Sequence, residues 1–241
     1  MKWTKNKRDL IICAGDSFTD PNFTDQWTMW PEIIEQNTPY RVQNLGQSAI
    51  GNRVIFERIV DAIETQGTRI KTICILWTEL ARHNDPNTNA IFQPLMIDDP
   101  RIWKEYFSLK NIHTITTELF RYINIIDQLG KFAGIEIIHW SAFGLINDES
   151  MHRYKQDRGA VWEYTQQAFN NIVLNNKYYD MIDYTGNCIG WPFTYPLSGY
   201  NAYDLFYADK KTNYIISRED GHPNKKGQQL IAKVFLKRMK S

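Results

Sequence analysis

Three short apolar runs constrain this chain more than any other feature: "LIICA" at 10–14, "IKTICILW" at 70–77 and "IEIIHW" at 135–140. Each is bounded by polar or turn residues and none keeps a strict apolar–polar alternation. Runs of that length and character are strands covered on both faces. Helical periodicity fills the spaces between them. Residues 27–36 place Trp30, Ile33 and Ile34 on one side. Asn52 to Gln66 places Ile55, Ile59, Ala62 and Ile63 on one face, with Gly67 to close the helix. Ile112, Ile115, Leu119, Ile123, Ile126 and Leu129 mark a long helix that stops near Gly134. Strands alternating with helices require a parallel sheet with helices on both faces.

"YRVQNLG" at 40–46 reads as a second short strand, and "YYDMID" at 178–183 as a fifth. Residues 162–174 read as a helix, and the last helix follows "HPNKKG" with Leu230, Ile231, Val234 and Phe235 apolar. Two stretches, about 79–110 and 186–217, are irregular and rich in proline, glycine or aromatics. Long loops of that kind in an α/β chain are usually functional or disordered. Repeats and low-complexity linkers are missing, so residues 1–241 read as one domain with two long loop insertions.

Charge excludes some functions. The formal net charge is +1, which gives no bulk attraction for nucleic acid or an anionic membrane surface. The three cysteines, Cys13, Cys74 and Cys188, are widely spaced and form neither a disulfide framework nor a zinc ribbon pattern. The basic start is followed by only "LIICA", too short for a signal-peptide core. The expectation is a soluble protein that is not exported.

In open parallel sheets, ligands gather beyond the carboxyl ends of the strands. "GDSF" follows the first strand and puts Ser17 there. Gly-Asp-Ser is also ordinary turn and capping chemistry, so these residues alone leave both readings open. Near the other end stands "SREDGHPNKKG", with Glu219 and Asp220 just before His222. A histidine oriented by a carboxylate takes a proton from a serine hydroxyl. A loop histidine capping the last helix is the structural alternative.

Together, "GDSF" and "DGHPN" resemble the first and last motif blocks of the SGNH (GDSL-type) hydrolases, in the expected order and places. The resemblance implies an α/β fold, a three-layer α/β/α sandwich with a flavodoxin-like five-stranded parallel sheet. It also implies a serine esterase in which Ser17 is the nucleophile and His222 the general base. The acid three before the histidine, the family's usual spacing, is Glu219; Asp220 stands two before, and Glu219 ranks ahead. In the second block, "NLGQSAIGN", the family glycine of the oxyanion hole falls on Ala49, with Gly46 nearby and Asn52 matching a recurrent asparagine. In the third block, "LWTELARHN", Glu79 falls where the family has an asparagine. A carboxylate donates no hydrogen bond unless protonated, so either Thr78, Arg82 or Asn84 supplies the second donor, or the hole is incomplete. The WTxxxR wording resembles a divergent group of viral and environmental sequences.

Asp16 reads as a brace or a substrate contact. The aromatics Trp27, Trp77 and Trp191 fall in or beside the expected mouth loops, where they either pack those loops or form a platform for a sugar or acyl chain. The expected reaction is removal of a small acyl group, first from an acetylated carbohydrate and next from a lipid or thioester. A binding protein that kept the fold and lost the chemistry is the alternative. The remaining histidines lack metal-ligand spacing; no metal or other cofactor is expected. The expected partner is a small-molecule or carbohydrate ester.

Overall fold

The structure is a computed structural model, and it describes residues 8–80, 82–84, 91–92, 109–145, 166–207, 212–217 and 220–239. The apolar runs lie side by side. Strand β1 is Leu10–Gly15, β2 is Arg41–Asn44 and β3 is Ile70–Trp77. Two short strands, β4 (His83–Asn84) and β5 (Ile91–Phe92), pair antiparallel, and β6 is Glu136–Ser141. The main sheet has the order β2-β1-β3-β6, all parallel. Every residue of β1 is buried, as is all of β3 except Lys71 and all of β6 except Glu136. That accounts for their largely apolar sequence, since water reaches neither face. A fully buried isoleucine such as Ile73 contributes roughly 1.5–3 kcal/mol of transfer free energy.

Helices α1 (Trp30–Gln36), α2 (Asn52–Gln66), α3 (Leu109–Ala133) and α4 (Gln166–Leu174) connect and flank the strands. Helices α5 (Tyr179–Thr185), α6 (Ala202–Tyr207) and α7 (Lys225–Arg238) follow. Helix α2 has the predicted bounds and buries Ile55, Ile59, Ala62 and Ile63. Helix α3 ends at Gly134, whose φ of +64° supplies the left-handed residue that stops a helix. Helix α1 packs on α7, where the Trp30 and Phe235 rings stack at 4.7 Å.

The sheet departs from expectation at its last position. "YYDMID" lies in the segment that forms helix α5, not a strand. Asn176 starts a turn there by accepting from the amides of Tyr178 and Tyr179. Ile182 is then buried while Met181 stays 47% exposed, so the apolar pairs did not mark a strand face. The fifth position holds a single parallel bridge between His139 and Cys188, so among the described residues the sheet has four strands. Among the described residues, the irregular stretch after it contains α6 and two single 3-10 turns, Tyr195–Leu197 and Thr212–Tyr214. Most of 79–110 lies outside the described residues, as does the first part of the helix expected at 162–174. Among the described residues, no helix is long and apolar enough to cross a membrane.

The winding reverses between β1 and β3, since β2 lies on one side of β1 and the later strands lie on the other. Such a switch point opens a crevice at the carboxyl ends of the strands. Gly15 ends β1 at that crevice.

Candidate active site

Two loops from opposite ends of the chain meet there. The first is the turn after β1. Asp16 carbonyl oxygen accepts from the amides of Thr19 (2.9 Å) and Asp20 (3.0 Å), coiling the chain so that Ser17 stands at its crest. Gly15 is required, because a Cβ would lie 2.2 Å from Thr19 Oγ1. The "NLG" segment after β2 braces this turn. Leu45 N–H donates to Cys13 carbonyl oxygen, and Asn44 Nδ2 donates to Thr19 carbonyl oxygen at 2.7 Å. Gly46 rests on the Thr19 backbone, and a Cβ at Gly46 would sit 2.5 Å from the Thr19 carbonyl carbon. Gly46→Ala is therefore expected to cost about 1–3 kcal/mol by overpacking, read as a lower urea midpoint at unchanged slope.

The second loop carries the histidine. His222 is fixed by the bridge between Ile215 and Pro223 and by the donation of Ile216 N–H to His222 carbonyl oxygen. Asn224 caps α7, accepting from Lys226 and Gly227 N–H, while its Nδ2 donates to the carbonyls of Asn213 and Ile215. A third tie comes from Gln228, buried in α7. Its Oε1 accepts from Trp30 N–H at 2.9 Å, and its Nε2 donates to Phe18 carbonyl oxygen at 3.2 Å. Gln228 thus fastens the histidine helix to the serine turn. Sequence reasoning missed it, although it is the polar member of the face carrying Ile231 and Phe235, three and seven residues on.

His222 Nε2 lies 3.0 Å from Ser17 Oγ, and His222 Nδ1 lies 2.6 Å from Asp220 Oδ1. The same Asp220 Oδ1 accepts from His222 N–H at 3.1 Å. One carboxylate oxygen therefore holds both backbone and ring of the histidine, which a two-residue spacing allows. Glu219, which the family spacing favours, lies outside the described residues. Burial by itself would raise the Asp220 carboxyl, but the ring and backbone bonds from His222 and its charge outweigh that and hold it below the usual range. An anionic Asp220 keeps the proton on Nδ1, leaving Nε2 as the acceptor for Ser17 Oγ–H.

Ala49 adopts φ +66°, a conformation natural to glycine and costing an L-residue on the order of 1 kcal/mol. Its neighbours hold it there: Ser48 N–H and Oγ–H both donate to Asp20 Oδ2, at 2.7 and 2.6 Å, and Ile50 is buried. Among the described residues, the amides of Ser17 and Ala49 have no acceptor.

The other expected hole residues are committed elsewhere. Gly46 N–H donates to Asn44 Oδ1. Asn52 donates to Thr78 carbonyl oxygen and accepts from Thr78 N–H, both at 3.0 Å. Thr78 Oγ–H donates to Asp16 Oδ2 at 2.8 Å, and Arg82 Nη1 donates to the same oxygen at 3.0 Å. Asp16 is wholly buried, and its Oδ1 accepts from Phe18 N–H at 3.1 Å.

Arg82 also meets Glu79, at 3.4 Å. One guanidinium thus faces two carboxylates, and Asp16 has the shorter contact. Burial pushes the Glu79 carboxyl up against the pull of Arg82, and Asp16 adds to the push. Folded Glu79 therefore binds its proton more tightly than the unfolded chain does. Its contribution to stability is greatest below the ordinary glutamate range near 4.5 and declines as pH rises through the folded value. Glu79→Gln is expected to gain stability relative to the parent as pH rises from about 4 to 7, measured by urea unfolding across that range.

Trp77 is not at the mouth. It is fully buried, and its Nε1–H donates to His139 Nδ1 at 3.1 Å. Trp191 packs against the rings of Phe120, Tyr179 and Phe193. Trp27 is half-buried in the loop after the serine turn. The aromatics that do reach the histidine are Phe23, stacked on it at 4.5 Å, and Phe18, edge-on at 5.7 Å. Among the described residues, no group of acids, histidines and cysteines is arranged to hold a metal ion.

No protein-family model matches the chain, and no curated protein does. Solved structures match over almost all of it. Axe2, an acetylxylan esterase from Geobacillus stearothermophilus, in the form of a catalytic mutant, aligns with a TM-score of 0.52 at 15% identity, covering 97% of this chain and 95% of that one. The chain shares its fold with GDSL-type (SGNH) lipolytic proteins and esterases. A lipolytic G-D-S-L family protein from Veillonella parvula aligns at 0.50 and 14% identity, covering 95% and 96%. The esterase EstA from a Pseudoalteromonas species aligns at 0.50 and 12%, covering 95% of each chain. At such identities the SGNH fold is what the likeness carries; the chemistry rests on this chain's own residues.

Proposed function

We propose that this protein is a serine esterase, with Ser17 as nucleophile, His222 as general base and Asp220 as the orienting acid. The observation that carries the reading is the continuous chain Asp220 Oδ1–His222–Ser17 Oγ, with contacts of 2.6 and 3.0 Å. His222 Nε2 takes the Ser17 proton as Oγ attacks the ester carbonyl, and the resulting imidazolium is held by Asp220. The proton then passes to the leaving alcohol, and the acyl group stays on Ser17. Water, activated by the same histidine, releases the acid and restores the serine.

The developing oxyanion is met by the Ser17 and Ala49 amides, whose positions are paid for by the turn bracing and by the strained φ of Ala49. The likeness to an acetylxylan esterase supports a small acyl group on a carbohydrate as the first substrate class to try. Acetylated xylo-oligosaccharides, p-nitrophenyl acetate and longer p-nitrophenyl esters form the assay panel, with a fluorophosphonate to label the nucleophile. Acetyl release together with a single label on Ser17 supports the reading. Absence of both from a folded sample rejects it and leaves a binding protein on a hydrolase fold.

A further inference from the structure

The catalytic imidazole has two nitrogens, and both are committed, one to Asp220 and one to Ser17. What holds the ring against rotation about that line must act on its faces. His222 is 32% exposed, so the protein interior does not enclose it. One aromatic ring covers a face: Phe23, with centroids 4.5 Å apart and planes 28° apart. Phe18 meets the imidazole edge-on at 5.7 Å and is itself locked by Phe143 at 4.7 Å and Phe206 at 6.1 Å.

Phe23 is half-buried on a loop, yet its backbone is anchored. Its N–H donates to Asp20 carbonyl oxygen, and Asn22 N–H donates to Asp20 Oδ1. Asp20 Oδ2 is in turn held by Ser48. Burial pushes the Asp20 carboxyl up, but the Ser48 and Asn22 hydrogen bonds and the Arg58 charge outweigh it, so the anchor is anionic at neutral pH. The loop thus ties Phe23 to the segment that presents Ala49, and the imidazole cover and the strained amide share one brace.

We propose that Phe23 is a positioning residue for His222: its π face keeps the imidazole aimed at Ser17 and favours the ring when it carries the extra proton. A cation over an aromatic face is attracted by the ring quadrupole, and the imidazolium exists only after Ser17 gives up its proton. The benefit therefore falls on the chemical step and not on substrate binding. This inference rests on the esterase reading above.

The test compares Phe23→Leu, which keeps an apolar bulk without a π face, with Phe23→Tyr, which keeps the face. In assays with p-nitrophenyl acetate, Phe23→Leu is expected to lower kcat about 10-fold with KM nearly unchanged, and Phe23→Tyr to recover most of the loss. Urea midpoints matching the parent exclude a folding defect. A rise in KM at unchanged kcat, an undiminished Leu variant, or a Tyr variant as poor as Leu overturns the proposal. A second readout does not need turnover: the hydrogen-bonded Nδ1–H proton resonance of His222. It is expected to persist in the parent and Phe23→Tyr and to broaden by solvent exchange in Phe23→Leu. Equal persistence in all three overturns the proposal even if the protein hydrolyses nothing. A parent that neither hydrolyses esters nor labels at Ser17, with the resonance behaving as expected, defeats the esterase reading alone.

Discussion

Ser17→Ala is expected to lower turnover of p-nitrophenyl acetate by about 10⁴-fold or more while leaving the unfolding transition almost unmoved. The two halves of this expectation have separate physical grounds. Ser17 Oγ meets His222 Nε2 in the cleft, and the hydroxyl carries none of the bonds that shape its turn. Those bonds come from the Asp16 carbonyl and carboxylate, from Asn44 and from Gln228. Removing the hydroxyl leaves no buried donor or acceptor stranded, because His222 remains partly open to water. The rate loss follows because the acyl-enzyme cannot form without Oγ, whereas oxyanion stabilisation by the Ser17 and Ala49 amides survives. A small residual rate by direct water attack is the expected remainder. Equal slow hydrolysis by parent and variant would place any observed turnover outside this cleft.

The parts of the fold legible in the sequence are those where one physical demand dominates. Strands β1, β3 and β6 are covered on both faces, so apolar residues dominate them, and the buried polar ones among them, such as Thr72 and His139, are hydrogen-bonded. Helix α2 shows its buried stripe because one side faces the sheet and the other water. "YYDMID" was ambiguous for a different reason. Short apolar pairs fit a strand or a one-sided helix equally well, and the local turn begun by Asn176 decided for the helix.

Motif order pointed to the meeting of Ser17 and His222, whose Oγ and Nε2 lie 3.0 Å apart, but not to the carboxylate that meets the ring. Spacing favoured Glu219, which lies outside the described residues, and the Asp220 turn brings one carboxylate oxygen to both the backbone and the ring of His222. The hole residues were hardest to read. Asn52 and Thr78 are polar residues at the right place, yet their hydrogen bonds go to the end of β3 and to Asp16. Composition names a donor; only geometry says what it already holds. Trp77 was misplaced for the opposite reason: at the end of a strand it borders the mouth in sequence, but its indole points into the core toward His139.

The largest expected effect on stability belongs to Asp16. Asp16→Ala is expected to destabilise the fold by about 3–5 kcal/mol, measured by urea unfolding, and to impair catalysis as well. Three donors converge on this buried carboxylate: Phe18 N–H on one oxygen, and Thr78 Oγ–H and Arg82 Nη1 on the other. Alanine strands all of them. Thr78 has no exposure through which water could replace the lost acceptor, and Arg82 is 15% exposed, keeping the longer Glu79 contact and the Phe143 ring at 5.6 Å but no closer carboxylate. A buried cation deprived of its closer partner costs more than the ion pair contributes, so the penalty is that of the charge left behind. Asp16→Ala/Arg82→Met removes both charges and is expected to be less destabilised than the sum of its single changes. Additive losses would show that Asp16 acts through the turn backbone alone. Non-additive recovery of stability without recovery of turnover would separate the two duties of this residue: balancing Arg82, and holding Phe18 N–H so that the adjoining Ser17 faces His222.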